Sequence, residues 1–96
     1  MSAIVDEAVA TLNAKLGGAG FDGLAKFVFT GEGAMMLDAS GARAGDEDAD
    51  VTLTASADVF KSILDGDTSP TAAFMTGRLS VDGNMGLAMK LASVLA

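Results

Sequence analysis

The sequence holds 96 residues, half of them hydrophobic, with 6 Lys or Arg against 13 Asp or Glu and a net charge of −7. That length fits one domain over residues 1–96, and this apolar fraction supports a packed core rather than wholesale disorder. The negative total disfavours nucleic acid and polybasic membrane attachment, and the absence of Cys and His removes disulfides, thiolate or imidazole metal ligands and histidine acid–base chemistry.

Ser2 is placed to cap a first helix, with Asp6 and Glu7 near its positive end. Ile4, Val5, Ala8, Val9, Leu12 and Leu16 recur at helical spacing until Gly17-Gly18 stops the run. Gly18-Ala19-Gly20-Phe21-Asp22-Gly23 then matches the spacing of a dinucleotide loop, G-x-G-x-x-G. It follows a helix instead of a strand and opens no helix, so a flexible connector is expected.

From Leu24 the period changes to two. Phe27 and Phe29 share one face, and Lys26, Val28 and Thr30 the other. Gly31-Glu32-Gly33 reads as a hairpin turn, and Met35, Leu37 and Ala39 continue a second strand. Ser40-Gly41 turns the chain into a short third strand at Ala42 to Gly45. Asp46-Glu47-Asp48-Ala49-Asp50 imitates the opening of an EF-hand loop. Val51 occupies the turn-glycine position and Ala57 the closing one, which leaves an acidic, solvated loop without a complete calcium ligand set. Val51, Leu53 and Ala55 alternate with Thr52 and Thr54 as a half-buried strand.

The second half carries clear helix punctuation. Ser56 caps a helix from Ala57 to Asp65, and Asp65-Gly66-Asp67 makes a turn. Ser69-Pro70 opens a short helix that Gly77 ends. Leu79 and Val81 alternate with Ser80 and Asp82 as a last strand, after which Asn84 caps a terminal helix. No internal repeat interrupts this order.

Acids at Asp6 and Glu7 stand where a secretory signal would be basic, and no apolar run approaches the ~20 residues of a membrane span. Val94-Leu95-Ala96 is not a peroxisomal address. A cytoplasmic location without stable membrane insertion is the expectation.

The terminal helix is apolar over too wide an arc for a single sheet contact. Lys90 and Ser93 occupy one narrow sector, while Met85, Leu87, Ala88, Met89, Leu91, Ala92, Val94 and Leu95 fill most of the rest. A sheet face needs a stripe of roughly 100° or somewhat more, so the surplus must meet other helices, a partner or an apolar ligand. Five internal methionines, Met35, Met36, Met75, Met85 and Met89, add to this. Unbranched thioethers adapt to changing apolar shapes, and they also fill gaps in ordinary cores.

Ala73-Phe74-Met75-Thr76-Gly77-Arg78-Leu79-Ser80-Val81-Asp82 followed by Gly83-Asn84-Met85-Gly86-Leu87-Ala88-Met89-Lys90-Leu91 closely resembles the C-terminal signature of the sterol carrier protein 2 family. Ala49 to Thr54 and the helix ending at Asp65-Gly66 resemble the strand and helix before it. Met35 stands where family members often carry a tryptophan. The resemblance implies an α/β fold of the α+β type: a five-stranded, mostly antiparallel sheet, helices over one face, and an apolar tunnel between the layers. It also implies non-catalytic carriage of sterols, fatty acyl chains or isoprenoid-like lipids, with no cofactor and no metal. The lining expected on that basis is Phe27, Phe29, Met35, Leu53, Phe60, Leu64, Phe74, Met75, Met85, Leu87, Met89 and Leu91.

Three function classes are set against each other. The leading one is a lipid carrier in which Lys90 or Arg78 either meets a carboxylate head group or stays solvated. The second is an interaction or accessory module presenting a lipid intermediate to partner enzymes, with transient membrane contact also open. The third is an enzyme using paired carboxylates such as Asp46/Asp48 or Asp65/Asp67, which sit in turns where solvation leaves their chemistry ordinary.

Overall fold

A computed structural model describes residues 3–95, so the Ser2 cap lies outside the described residues. Nine elements follow in the predicted order. They are α1 (Ala3–Leu16), β1 (Ala25–Phe29), β2 (Gly33–Asp38), β3 (Gly41–Ala44), β4 (Val51–Ala55), α2 (Ala57–Leu64), α3 (Pro70–Met75), β5 (Ser80–Gly83) and α4 (Met85–Leu95). The caps act as the side-chain chemistry predicts. Ser56 Oγ accepts from the Val59 N–H at 3.3 Å, Ser69 Oγ from Ala72 at 3.4 Å, and Asn84 Oδ1 from Leu87 at 3.0 Å. Each supplies one of the donors that a helix start leaves without a partner.

The five strands form one sheet in the order β3-β2-β1-β4-β5. β1–β2, β2–β3 and β4–β5 pair antiparallel, and β1–β4 pair parallel at the centre, with Phe27 opposite Met35 on one side and Leu53 on the other. The helices cover one face. α1 packs over β2 and β3, α4 packs over β4 and β5, and α2 lies beside α1. Alternation puts Ala25, Phe27 and Phe29 into that interface and leaves Lys26 and Val28 half-buried on the other face. The Phe60 ring of α2 stacks on Phe27 with centroids 5.7 Å apart and tilts against Phe29 at 4.6 Å. Leu12, Met35, Leu37, Ile63 and Leu91 complete the core.

Two local expectations need correction, and a third gains a structural role. The second strand stops at Asp38, because the Asp38 carboxylate accepts from the Ser40 N–H at 2.9 Å and turns the chain, which leaves Ala39 exposed in the turn. The glycine-rich connector is packed rather than loose. Phe21 is buried, its N–H donates to the Asp38 carbonyl at 2.9 Å, and a Cβ at Gly20 would overlap the Ala39 carbonyl oxygen. The acids of the loop, Asp46, Glu47, Asp48 and Asp50, are exposed as expected, and the loop also has a structural role. It is the crossover that carries the chain from β3 across the uncovered face of β2 and β1 to β4, as a parallel pairing requires. Gly45 lies against Met36 and donates to the Ala34 carbonyl at 3.2 Å, and Asp50 donates to the Leu24 carbonyl at 2.9 Å. Met36, on the face opposite Phe27, is fully buried in consequence.

Ion pairs fasten this strap. Lys26 Nζ stands 3.0 Å from Asp46 Oδ1, and Arg43 reaches Asp38 Oδ2 at 2.6 Å and Glu47 Oε2 at 3.5 Å. The hydrogen bond from Arg43, then the Ser40 N–H, holds the Asp38 carboxyl below the usual carboxylate range.

Candidate functional site

Between α3, α4 and the β4–β5 edge lies an apolar groove of about 230 Å³. Its floor is Leu53, Leu79 and Val81, and its two walls come from Pro70, Thr71 and Phe74 of α3 and Met85, Ala88, Met89 and Ala92 of α4. The helical repeat explains the wall. Met85 and Met89 are one turn apart, as are Ala88 and Ala92, so large thioethers form a lip beside two small side chains that leave room. Leu91 and Leu95 bury the adjacent stripe of the same helix in the core. The surplus apolar arc of α4 is therefore the groove side.

The structure distributes the twelve expected lining residues. Leu53, Phe74, Met85 and Met89 come together in the groove. Phe27, Met35, Phe60 and Leu91 are enclosed in the packed core. Phe29 and Leu64 are buried but border a second hollow of about 220 Å³ between α1 and α2, rimmed by Glu7, Asp58, Lys61 and Asp65. Leu87 is half-buried and turned toward Gly23. Met75 is exposed at the end of α3, outside the groove lining.

Pro70, Thr71, Leu79, Val81, Ala88 and Ala92 also line the groove, outside the expected set. For the alanines the sequence carries a signal: two small residues one turn apart beside two methionines mark a place where a helix leaves space. For Pro70 and Thr71 no such signal exists, because a helix start reads as punctuation whatever it faces.

The groove offers burial and very little polarity. Among the described residues its lining holds one side-chain polar group, the Thr71 hydroxyl, and no ionisable group. Arg78 Nε donates to Thr76 Oγ1 at 3.1 Å, and Lys90 is exposed on α4; neither lines the groove. Among the described residues no group of three or more His, Cys, Asp or Glu is placed to hold a metal ion, and no helix is long and apolar enough to cross a membrane.

Residues 4–96 match the model of the SCP-2 sterol transfer family. Hydroxysteroid dehydrogenase-like protein 2 of Xenopus tropicalis is 36% identical over 81 residues, covering 76% of this chain and only 19% of that much longer relative. The crystal structure of sterol carrier protein 2 like 2 from Aedes aegypti is similar over 95% of both chains, with a TM-score of 0.79 and 20% identity. The solution structure of Aedes aegypti sterol carrier protein 2 in complex with palmitate is similar over 100% of this chain and 97% of that one, with a TM-score of 0.78 and 24% identity. At these identities the two likenesses establish the fold.

Proposed function

This chain belongs to the SCP-2 sterol transfer family, and we propose that it binds and transfers a small apolar lipid of sterol, fatty acyl or isoprenoid type in the groove between α3 and α4. The observation that carries the reading is the groove itself: an apolar hollow flanked by Phe74, Met85 and Met89, with Ala88 and Ala92 leaving the space between. Each CH₂ withdrawn from water into it contributes about 0.8 kcal/mol, so affinity rises with chain length. With one hydroxyl on the wall, little orients a head group, and selectivity among lipids is low. The hollow falls just short of the ~300–1,000 Å³ usual for small-molecule sites, so a long ligand must push the methionines aside. Their three rotatable bonds allow that at little cost. The Aedes aegypti protein in complex with palmitate supports a fatty acyl ligand of this kind. The mechanism is burial and release, with no bond made or broken by the chain.

The dehydrogenase-like relative supports a second reading of the same unit. A domain of this family matched within a much longer protein of that name suits an accessory role, presenting a lipid to a partner enzyme.

A fluorescent fatty acid should bind saturably with one-site stoichiometry and be displaced by sterols or neutral lipids. Met89→Asp places a carboxylate at the groove lip and should weaken binding by at least about tenfold. Its melting temperature should change little, because Met89 is exposed. Absence of binding across sterols, fatty acids and isoprenoids would overturn the lipid reading.

A further inference from the structure

The chain contains no Cys, Trp, Tyr or His, so a mild oxidant that reaches it meets methionine thioethers as the readily oxidised side chains. The fold divides those thioethers into two groups. Met35 and Met36 are fully buried, whereas Met75 is 79% exposed, Met89 72% and Met85 53%. Met85 and Met89 are at the same time part of the groove wall, one turn apart on α4, while Met75 lies outside the lining. The two methionines that shape the cargo site are thus also open to solvent.

Resting on the lipid-carrier reading, we propose that Met85 and Met89 form a reversible oxidation site, at which hydrogen peroxide converts the groove from a lipid-binding to a lipid-releasing state. The thioether sulfur attacks the peroxide and the O–O bond breaks. One oxygen forms the S=O bond and the other leaves as water, so sulfur gives up two electrons and the peroxide takes them. The reverse step needs an external dithiol, because the chain has no thiol of its own. A methionine sulfoxide reductase supplies it: the dithiol becomes a disulfide, and the sulfoxide oxygen leaves as water.

The product is polar where the site is apolar. Among the described residues the lining offers one side-chain donor, the Thr71 hydroxyl, too few for two sulfoxide oxygens. In the empty groove both oxygens meet water, since Met85 and Met89 are exposed, and the fold keeps its stability. A lipid chain that fills the hollow either strips that water or loses its contact with the α4 wall, so the cost falls on binding. Oxidation also replaces an adaptable thioether by a polar, chiral group that fits changing apolar shapes less well. A bound chain in turn covers the two side chains, which shields the loaded protein and leaves the empty one to be oxidised first.

The test treats the full chain with hydrogen peroxide, locates sulfoxides by peptide mass spectrometry and measures affinity for a fluorescent fatty acid before and after. Sulfoxide should appear at Met75, Met85 and Met89 ahead of Met35 and Met36, with little change in melting temperature. Affinity should fall by about tenfold, and a sulfoxide reductase with a dithiol should restore it. Loading with fatty acid beforehand should slow oxidation at Met85 and Met89 and leave its rate at Met75 unchanged. Met75→Leu should lose affinity on treatment as wild type does. In Met85→Leu/Met89→Leu, whatever its starting affinity, treated and untreated protein should bind alike. Complete sulfoxide formation at Met85 and Met89 with affinity unchanged would overturn the oxidation site and leave the carrier reading standing, and so would an equal loss of affinity in the double variant. Untreated wild type that binds no lipid would overturn the carrier reading, and the oxidation site with it.

Discussion

Phe60 and Phe74 are the same side chain on two neighbouring helices, and they have opposite fates. Phe60 of α2 is buried between Phe27 and Phe29, whereas Phe74 of α3 stands nearly half exposed beside a hollow. The contrast extends to the regions that hold them. Around Phe60 the layer between helix and sheet is filled by rings and by leucine, isoleucine and methionine side chains, and the hollow of about 220 Å³ between α1 and α2 is rimmed by the charged Glu7, Asp58, Lys61 and Asp65. Under α3 and α4, Ala88 and Ala92 leave the groove. Equal hydrophobicity therefore does not mean equal burial: what differs is whether facing residues are large enough to close the gap.

The largest expected effect breaks the filled side. Phe60→Ala removes the ring that both other phenylalanines touch and should cost about 3–5 kcal/mol in denaturant unfolding. Next comes a matched pair of enlargements. Ala25→Leu, at a fully buried β1 position, should cost about 1–3 kcal/mol through overpacking. Ala88→Leu, at a groove position, should leave stability within about 0.5 kcal/mol of wild type and abolish fatty-acid binding. Equal stability losses from the two would show that the groove is packed in solution. Asn84→Ala removes the cap of α4 and should cost about 1 kcal/mol by thermal melting, while loosening one groove wall without touching its lining.

The smallest effect concerns the strap on the opposite face. Asp38 has its carboxyl pKa lowered in the folded state, so its contribution is present above the unfolded value and fades as pH falls through the folded one. Arg43→Ala should raise the Asp38 titration midpoint seen by NMR and flatten the acid limb of the stability curve. An unmoved midpoint would mean that the Ser40 N–H alone holds the carboxylate.

All nine elements are legible in the sequence, because caps at Ser56, Ser69 and Asn84 and the two-residue alternation of β1 and β4 are local signals. What periodicity cannot report is what stands opposite. The arc of α4 announces surplus apolar surface, yet Leu91 goes to the core and Met89 to the groove lip because of neighbours far away in sequence. Met36 looks like an outward strand residue and is buried, since the crossover that covers it is an acidic segment whose composition suggests only solvent. Phe21 is buried as well, and the bond that anchors it runs from its N–H to the Asp38 carbonyl, a partner that local pattern does not report.

The parallel pairing of β1 with β4 also sets the order in which the chain can fold. Ala25 meets Val51 twenty-six residues away, so the middle of the sheet closes only after the β1–β2–β3 meander has formed and the strap has passed across it. Closing a loop of that length before any contact rewards it is the slow event in such a topology. Residues at the β1–β4 seam, Phe27 and Leu53 above all, should show high φ-values. The α3–β5–α4 segment, with fewer buried contacts to lose, should dock after the barrier and exchange its amide hydrogens first once folded.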